Sequence, residues 1–185
     1  MKRRQTLLSF ALAAATLLVV GFDEAVQTVS SKGVSFDVPK TWKSTISQKQ
    51  MRAAEISVVA AEGDKEPTEL IVFNFPSSPG SLQANLDRWE KMFVDKDGKS
   101  PKISTEKRKG KNVDVTFVET AGRYVAPVSP GSAEKHNEDG FRMLIAFVDA
   151  PRGSYSFRMV GPEKTVKSAK PAFEAMIKTI AVGEK

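Results

Sequence analysis

Residues 141–163 read FRMLIAFVDAPRGSYSFRMVGPE, and the fold follows from the way this stretch is patterned. From Leu144 to Val148 every side chain is apolar. A strand with no polar alternation must be covered on both faces. Pro151 to Gly153 then turn the chain into a second strand, Tyr155 to Val160. Gly161, Pro162 and Glu163 open a helix, because proline is tolerated in a first helical turn. The clearest periodicity beyond it is Phe173, Met176, Ile177 and Ile180, one helical stripe. Pro171 stands in that segment. A proline inside a helix costs about 3 kcal/mol, so the sequence predicts a break near Lys170, with Pro171 in the first turn of the main terminal helix.

Outward from this core the same two periods recur. Val34, Phe36 and Val38 share one face of a strand while Ser35 and Asp37 share the other, and Ala54 to Ala60 forms a second strand. Leu70 to Phe75 is apolar on both faces and is expected to lie inside the sheet, after a charged loop from Ala61 to Thr68 that contains Pro67. Behind Pro79, Gly80 and Ser81, the residues Leu82, Leu86, Trp89 and Phe93 recur at four, three and four. That spacing predicts a helix over 81–94, with Asp87 and Lys91 paired one turn apart. Ile103 to Lys107 and Asn112 to Thr120 form a hairpin turned at Gly110, with Val113, Val115 and Phe117 facing the core. Phe141 to Val148 follows after a long loop, Ala121 to Asp139. Seven mostly antiparallel strands with one inserted and one C-terminal helix make an α+β chain, a single-domain α-β-α sandwich.

The 185 residues, 41% hydrophobic and 27% charged, suffice for one globular domain. Without cysteine there are no disulfides, thiolate metal sites or cysteine nucleophiles. Lys2, Arg3 and Arg4 precede an apolar run from Leu7 to Val20, the pattern of a secretory signal. At 14 residues the run is shorter than the roughly 20 a membrane-spanning helix needs. Residues 1–21 are therefore expected to be a signal peptide, with Val19 and Gly21 at the small positions of the cleavage site. Residues 22–33 are a short lead and 34–182 the domain. The protein is expected to be periplasmic or secreted, the alternative being a membrane tether through an uncleaved N-terminus. Arg3, Arg4 and Leu7 also admit twin-arginine export, although Thr6 occupies an apolar position of that signal. Removing 1–21 lowers the formal net charge from +6 to +3.

Two short motifs carry a family resemblance. Val34 to Val38 runs into Pro39 and Trp42, a strand followed by Pro-x-x-Trp, and Tyr155 to Val160 leads through Gly161 and Pro162 into the closing helix. Over roughly 30–182 the chain resembles the PsbP-like superfamily, named for an extrinsic subunit of photosystem II. The resemblance implies an α-β-α sandwich whose members mostly act by binding or assembly, and it carries over no catalytic residue. A lead of about a dozen residues before the first strand departs from the photosynthetic type, which has a long docking arm.

The candidate sites are few. His136 is the only histidine and lies in a hydrophilic loop, so neither a catalytic base nor a zinc site is expected. Gly98, Lys99 and Ser100 imitate the end of a phosphate loop, but its first glycine would fall at Phe93, within the predicted helix. Asp95, Asp97 and Gly98 imitate part of a calcium loop that would end at Ser104 instead of glutamate. No Gly-x-Ser-x-Gly motif or dinucleotide fingerprint occurs, and no cofactor is expected. Residues 96–111 carry a local charge of +5, a candidate basic patch centred on Lys102, Lys107, Arg108, Lys109 and Lys111. With no aromatic interleaving the patch does not predict nucleic-acid binding, and lysines at a hairpin edge also serve solubility. The loop 121–139 is long enough to be functional, and Arg123, Tyr124 and His136, with Arg142 just after it, form a candidate binding set. Two functions compete. One is an exported noncatalytic binding or assembly protein; the other is a small-molecule binder or hydrolase with those four residues around one pocket.

Overall fold

The computed structural model describes residues 25–65, 68–76, 81–150 and 153–183. The expected signal at 1–21 lies outside them, as do Pro67, Pro79, Gly80 and Pro151. In chain order the elements are β1 (Val26–Ser31), β2 (Val34–Pro39), β3 (Lys43–Ile46), β4 (Arg52–Val58), β5 (Thr68–Phe75), α1 (Leu82–Glu90) and β6 (Phe93–Val94). They continue with β7 (Ser104–Lys109), β8 (Asp114–Tyr124), β9 (Glu138–Ala150), β10 (Gly153–Pro162), α2 (Glu163–Thr179) and β11 (Ala181–Val182). An antiparallel eight-stranded sheet runs β3-β4-β5-β10-β9-β8-β6, with β7 also paired to β8, and β1-β2-β11 forms a smaller sheet. As its apolar faces require, β5 is interior, between β4 and β10.

The unbroken apolar run in β9 is explained by two cores. Leu144, Ala146 and Val148 pack with Phe117 and Phe157, and with Phe173, Met176 and Ile177 of α2. Met143, Ile145 and Phe147 point the other way, toward Trp89 of α1 and Val118. Burying each of the larger side chains among them contributes about 1.5–3 kcal/mol. Phe36 of the smaller sheet meets Phe157 edge-on with ring centroids 5.0 Å apart, so that sheet joins the α2 layer. Pro-x-x-Trp is a turn: the Trp42 N–H donates to the Pro39 carbonyl at 3.0 Å, and the Gln27 amide caps the Trp42 carbonyl at 2.6 Å.

Several expectations change. Helix α1 starts as expected, with the Ser81 hydroxyl accepting from the Ala84 N–H at 3.2 Å, but it ends at Glu90 instead of reaching 94. The Met92 N–H folds back to the Trp89 carbonyl at 3.1 Å, tightening the last turn, and Phe93 and Val94 pair with Tyr124 and Arg123 as β6. Phe93 is buried, but from a strand: a four-residue spacing does not distinguish the next helical turn from a chain that has just left the helix. Asp87 accepts from Gln83 at 2.7 Å, where a pair with Lys91 was expected. Helix α2 does not break at Pro171; it runs continuously through that exposed residue. Thr165, Val166 and Ala169 before the proline and Phe173, Met176 and Ile177 after it are all buried, and this burial outweighs the lost hydrogen bond. The lead 22–33 contains β1, paired along its whole length with β2, and the short edge strands β3, β6 and β11 raise the seven expected strands to eleven among the described residues.

Gly161 sits where β10 crosses β5, and a Cβ there would lie 2.2 Å from Thr68 Oγ1. Substituting Gly161→Ala is expected to lower stability by about 1–3 kcal/mol, read as a reduced midpoint in chemical denaturation with an unchanged slope. An unchanged midpoint would show that the β5–β10 contact has room to spare.

Candidate functional site

The segment expected as a free loop is largely structured. β8 extends to Tyr124 and β9 begins at Glu138, leaving 125–137 as the hairpin connection. That connection is closed by a bridge between Pro127 and Lys135, by Val128 N–H donating to Glu134 O at 3.1 Å and by His136 N–H donating to Ala126 O at 2.9 Å. Val125 N–H donates to Met92 O at 2.9 Å and ties its base to the α1–β6 junction. A close approach permits this: a Cβ at Gly122 would lie 2.6 Å from the Val94 carbonyl, next to the irregularity between Gly122 and Tyr124.

Tyr124 and His136 do come together. The Tyr124 ring lies 5.0 Å from His136, 5.2 Å from Phe93 and 5.9 Å from Phe141, the last nearly parallel at 8°. All but Phe93 are half-buried, so the rings form a ledge at one end of the hairpin. Burial pushes the Tyr124 phenol above its ordinary pKa, opposed only by the positive charge of Arg158. Arg123 is exposed and pairs with Val94, at the alternate position of β8 to Tyr124, so it does not share the face of the rings.

Arg142 does not join them. In β9 it alternates with Phe141, and its guanidinium points to the α2 face, where it binds Glu119 and, at 2.6 Å, Glu163. Lys170 reaches Glu119 at 2.6 Å and Lys167 reaches Glu163 at 2.8 Å, which makes a five-residue brace between β8, β9 and α2. The side chains of Glu119 and Arg142 are only 16% and 17% exposed. Burial opposes the charge of Glu119, but hydrogen bonds from Lys170 and Arg142 outweigh it and hold the carboxyl below its ordinary range. For Arg142, burial is outweighed by its bonds to Glu163 and Glu119, which raise its pKa. The four residues expected around one pocket are therefore divided between two faces of the sheet. The period of two places neighbouring residues on opposite faces, a signal already present at Phe141 and Arg142.

The basic patch is also divided. It lies along β7, which pairs only with β8. Lys107 donates to Thr116 Oγ1 at 2.9 Å; Arg108 lies 5.6 Å from the Phe117 ring and reaches Glu106 at 2.8 Å and Glu174 at 3.6 Å. Lys109 pairs with Asp114, Lys111 is exposed, and Lys102 borders a shallow groove against Asp87 and Glu90 of α1. Much of the local positive charge is thus answered, as at a solubilised edge.

One residue passed over in the sequence stands out in the structure. Arg158 lies on β10 with Ser156, on the face opposite Tyr155, Phe157 and Met159, and its guanidinium carbon is 4.7 Å from the centre of the Phe73 ring. A charge at an alternate position of an interior strand was the available signal, but alternation alone reads such a position as solvent-facing.

Two helices on opposite faces of an antiparallel sheet define an α-β-α sandwich of the PsbP-like type. The solution structure of cyanobacterial PsbP (CyanoP) from Synechocystis sp. PCC 6803 is similar with a TM-score of 0.52, covering 93% of this chain and 99% of that chain at 14% sequence identity. At that identity the likeness establishes the fold. The chain matches no protein-family model and no curated protein sequence.

Glu119→Gln leaves Arg142 and Lys170 short of a partner, and is expected to destabilise the protein by about 1–3 kcal/mol in denaturant titration. Because the folded-state pKa of Glu119 is depressed, its stabilisation is complete above the ordinary value of 4.5 and is lost as pH falls through the lower folded value. Measured between pH 6 and pH 3, wild-type stability should fall more steeply than that of E119Q. Parallel curves would remove the brace from the account.

Proposed function

We propose that the protein is an exported, noncatalytic binding or assembly protein of the bacterial cell envelope, periplasmic or secreted. The observation that carries this reading is the β8–β9 hairpin, whose connection is fixed by its own hydrogen bonds and presents the Tyr124–His136–Phe141 ledge, with exposed Arg123 at the alternate position of β8. Half-buried aromatic rings are characteristic of protein-contact hot spots, and a braced hairpin meets a partner with little ordering cost. The N-terminal pattern of Lys2, Arg3, Arg4 and the run to Val20 supports export, and the PsbP-like scaffold supports a binding role. Exposed lysines of the β7 edge add a weaker, salt-sensitive attraction for an acidic partner. The competing pocket of Arg123, Tyr124, His136 and Arg142 loses support, since Arg142 is committed to two carboxylates on the far face.

Photoreactive residues placed at Arg123 and at Lys109 in intact cells test the proposal, with adducts identified by mass spectrometry. One abundant envelope protein is expected from position 123, lost when residues 127–135 are replaced by glycine and serine. An exported, folded protein that gives no specific adduct at either position would overturn it.

A further inference from the structure

Helix α1 is too short to cover its side of the sheet. Nine residues span about 13 Å, whereas strands spaced about 4.8 Å apart make a sheet of this size about 30 Å wide. Trp89 packs over Phe147 of β9, with ring centroids 6.0 Å apart. Toward β10, β5 and β4 a groove of about 420 Å³ stays open, floored by Phe73, Phe75 and Trp89.

Three guanidinium groups from three elements border this groove: Arg52 of β4, Arg88 of α1 and Arg158 of β10. Sheet register brings them together, since Arg52 and Ser156 both stand opposite Phe73 and Arg158 follows Ser156 on the same face. Their partners differ. Arg52 lies 3.2 Å from Glu55, a carboxylate it shares with Lys49. Arg88 donates to the neutral amide oxygen of Asn85 at 2.5 Å. Arg158 has the face of Phe73, and no carboxylate among the described residues lies within ion-pair distance of it. Desolvation pushes its pKa below the ordinary value; the interaction with Tyr124 opposes this, and the positive charges of Arg88 and Arg52 add to it. Desolvating a cation among like charges is costly unless an anion joins it, and a methionine would fill the same apolar space without that cost.

We propose that this groove is a binding site for a small amphiphilic anion, its carboxylate or phosphate held by Arg158 and Arg88 and its apolar body lying on Phe73, Phe75 and Trp89. The planar guanidinium fork matches either oxyanion, and the groove volume is in the range of small-ligand sites. The aromatic floor favours the apolar body: a bare inorganic anion would leave the half-exposed Phe73 and Phe75 uncovered, Trp89 being already packed beneath α1. This site goes beyond the hairpin reading: Pro130 of the hairpin connection lines the groove, but neither Arg123 nor Lys109 does, so titration of the groove and crosslinking from those two positions fail or succeed separately.

Isothermal titration of the purified protein with decanoate, decyl phosphate, decanol and decyltrimethylammonium tests the inference. One or both anions are expected to bind at a single site, at least about tenfold more tightly than decanol, with no binding of the cation. The preferred anion identifies the headgroup as carboxylate or phosphate. Arg158→Met should weaken anion binding at least about tenfold while bringing decanol closer to decanoate. Arg88→Met, at an exposed position of α1, gives the same test should the half-buried Arg158→Met substitution fail to fold. Equal affinity for decanoate and decanol, absence of anion binding, or folded R158M and R88M variants that bind as wild type would each overturn the site.

Discussion

Burial of β9 on both faces is the constraint on which the rest of the structure depends. Its odd residues Met143, Ile145 and Phe147 face the α1 layer, and its even residues Leu144, Ala146 and Val148 face α2. A strand of that composition is stable only with two covers, so the chain must supply a helix to each side. The inserted α1 and terminal α2 are those covers, with the β1-β2-β11 sheet joined to the second. Because α2 is seated on both sides of Pro171 by buried residues, the core keeps continuous a helix that local propensity would break.

The two covers are unequal, and the inequality shapes the surface. α2 has 17 residues and anchors its N-terminal half through Glu163 to Arg142 and through Lys170 to Glu119, with Lys167 pairing Glu163 along the helix. Charges on that side are answered within the protein. α1 has nine residues and leaves Phe73, Phe75 and Arg158 bordering a groove. Positive charge on that side is answered only in part. The same strand thus carries an arginine used for stability in Arg142 and is paired with a neighbour, β10, whose Arg158 has no such partner among the described residues.

Much of the architecture was legible in the residues. The apolar runs of β5 and β9, the Gly110 hairpin, the start of α1 at Ser81 and the opening of α2 at Glu163 are read from periods and caps that depend on near neighbours. Pro39 and Trp42 with Tyr155 to Pro162 pointed to the PsbP-like sandwich that the likeness to CyanoP supports. Less legible were the short edge strands β1, β3, β6 and β11, whose pairing supplies an order that their own composition does not. Of the candidate site, the meeting of Tyr124 with His136 was anticipated by their common loop, whereas Arg142 was misplaced by one step of strand alternation.

What the sequence by itself determined is the set of local periods: which long segments are strand or helix, which residues within them share a face, and that two strands need cover on both sides. Tertiary structure alone decided which layer each face meets. Phe93 reaches the core from a strand because β8 offered its backbone hydrogen bonds, and Arg158 is half-buried without a carboxylate within ion-pair distance because α1 shelters that face without filling it. A period of two or of 3.6 fixes direction relative to a neighbour in the chain. Whether that direction holds water, an aromatic ring or an opposite charge depends on residues far away in sequence, brought there by packing.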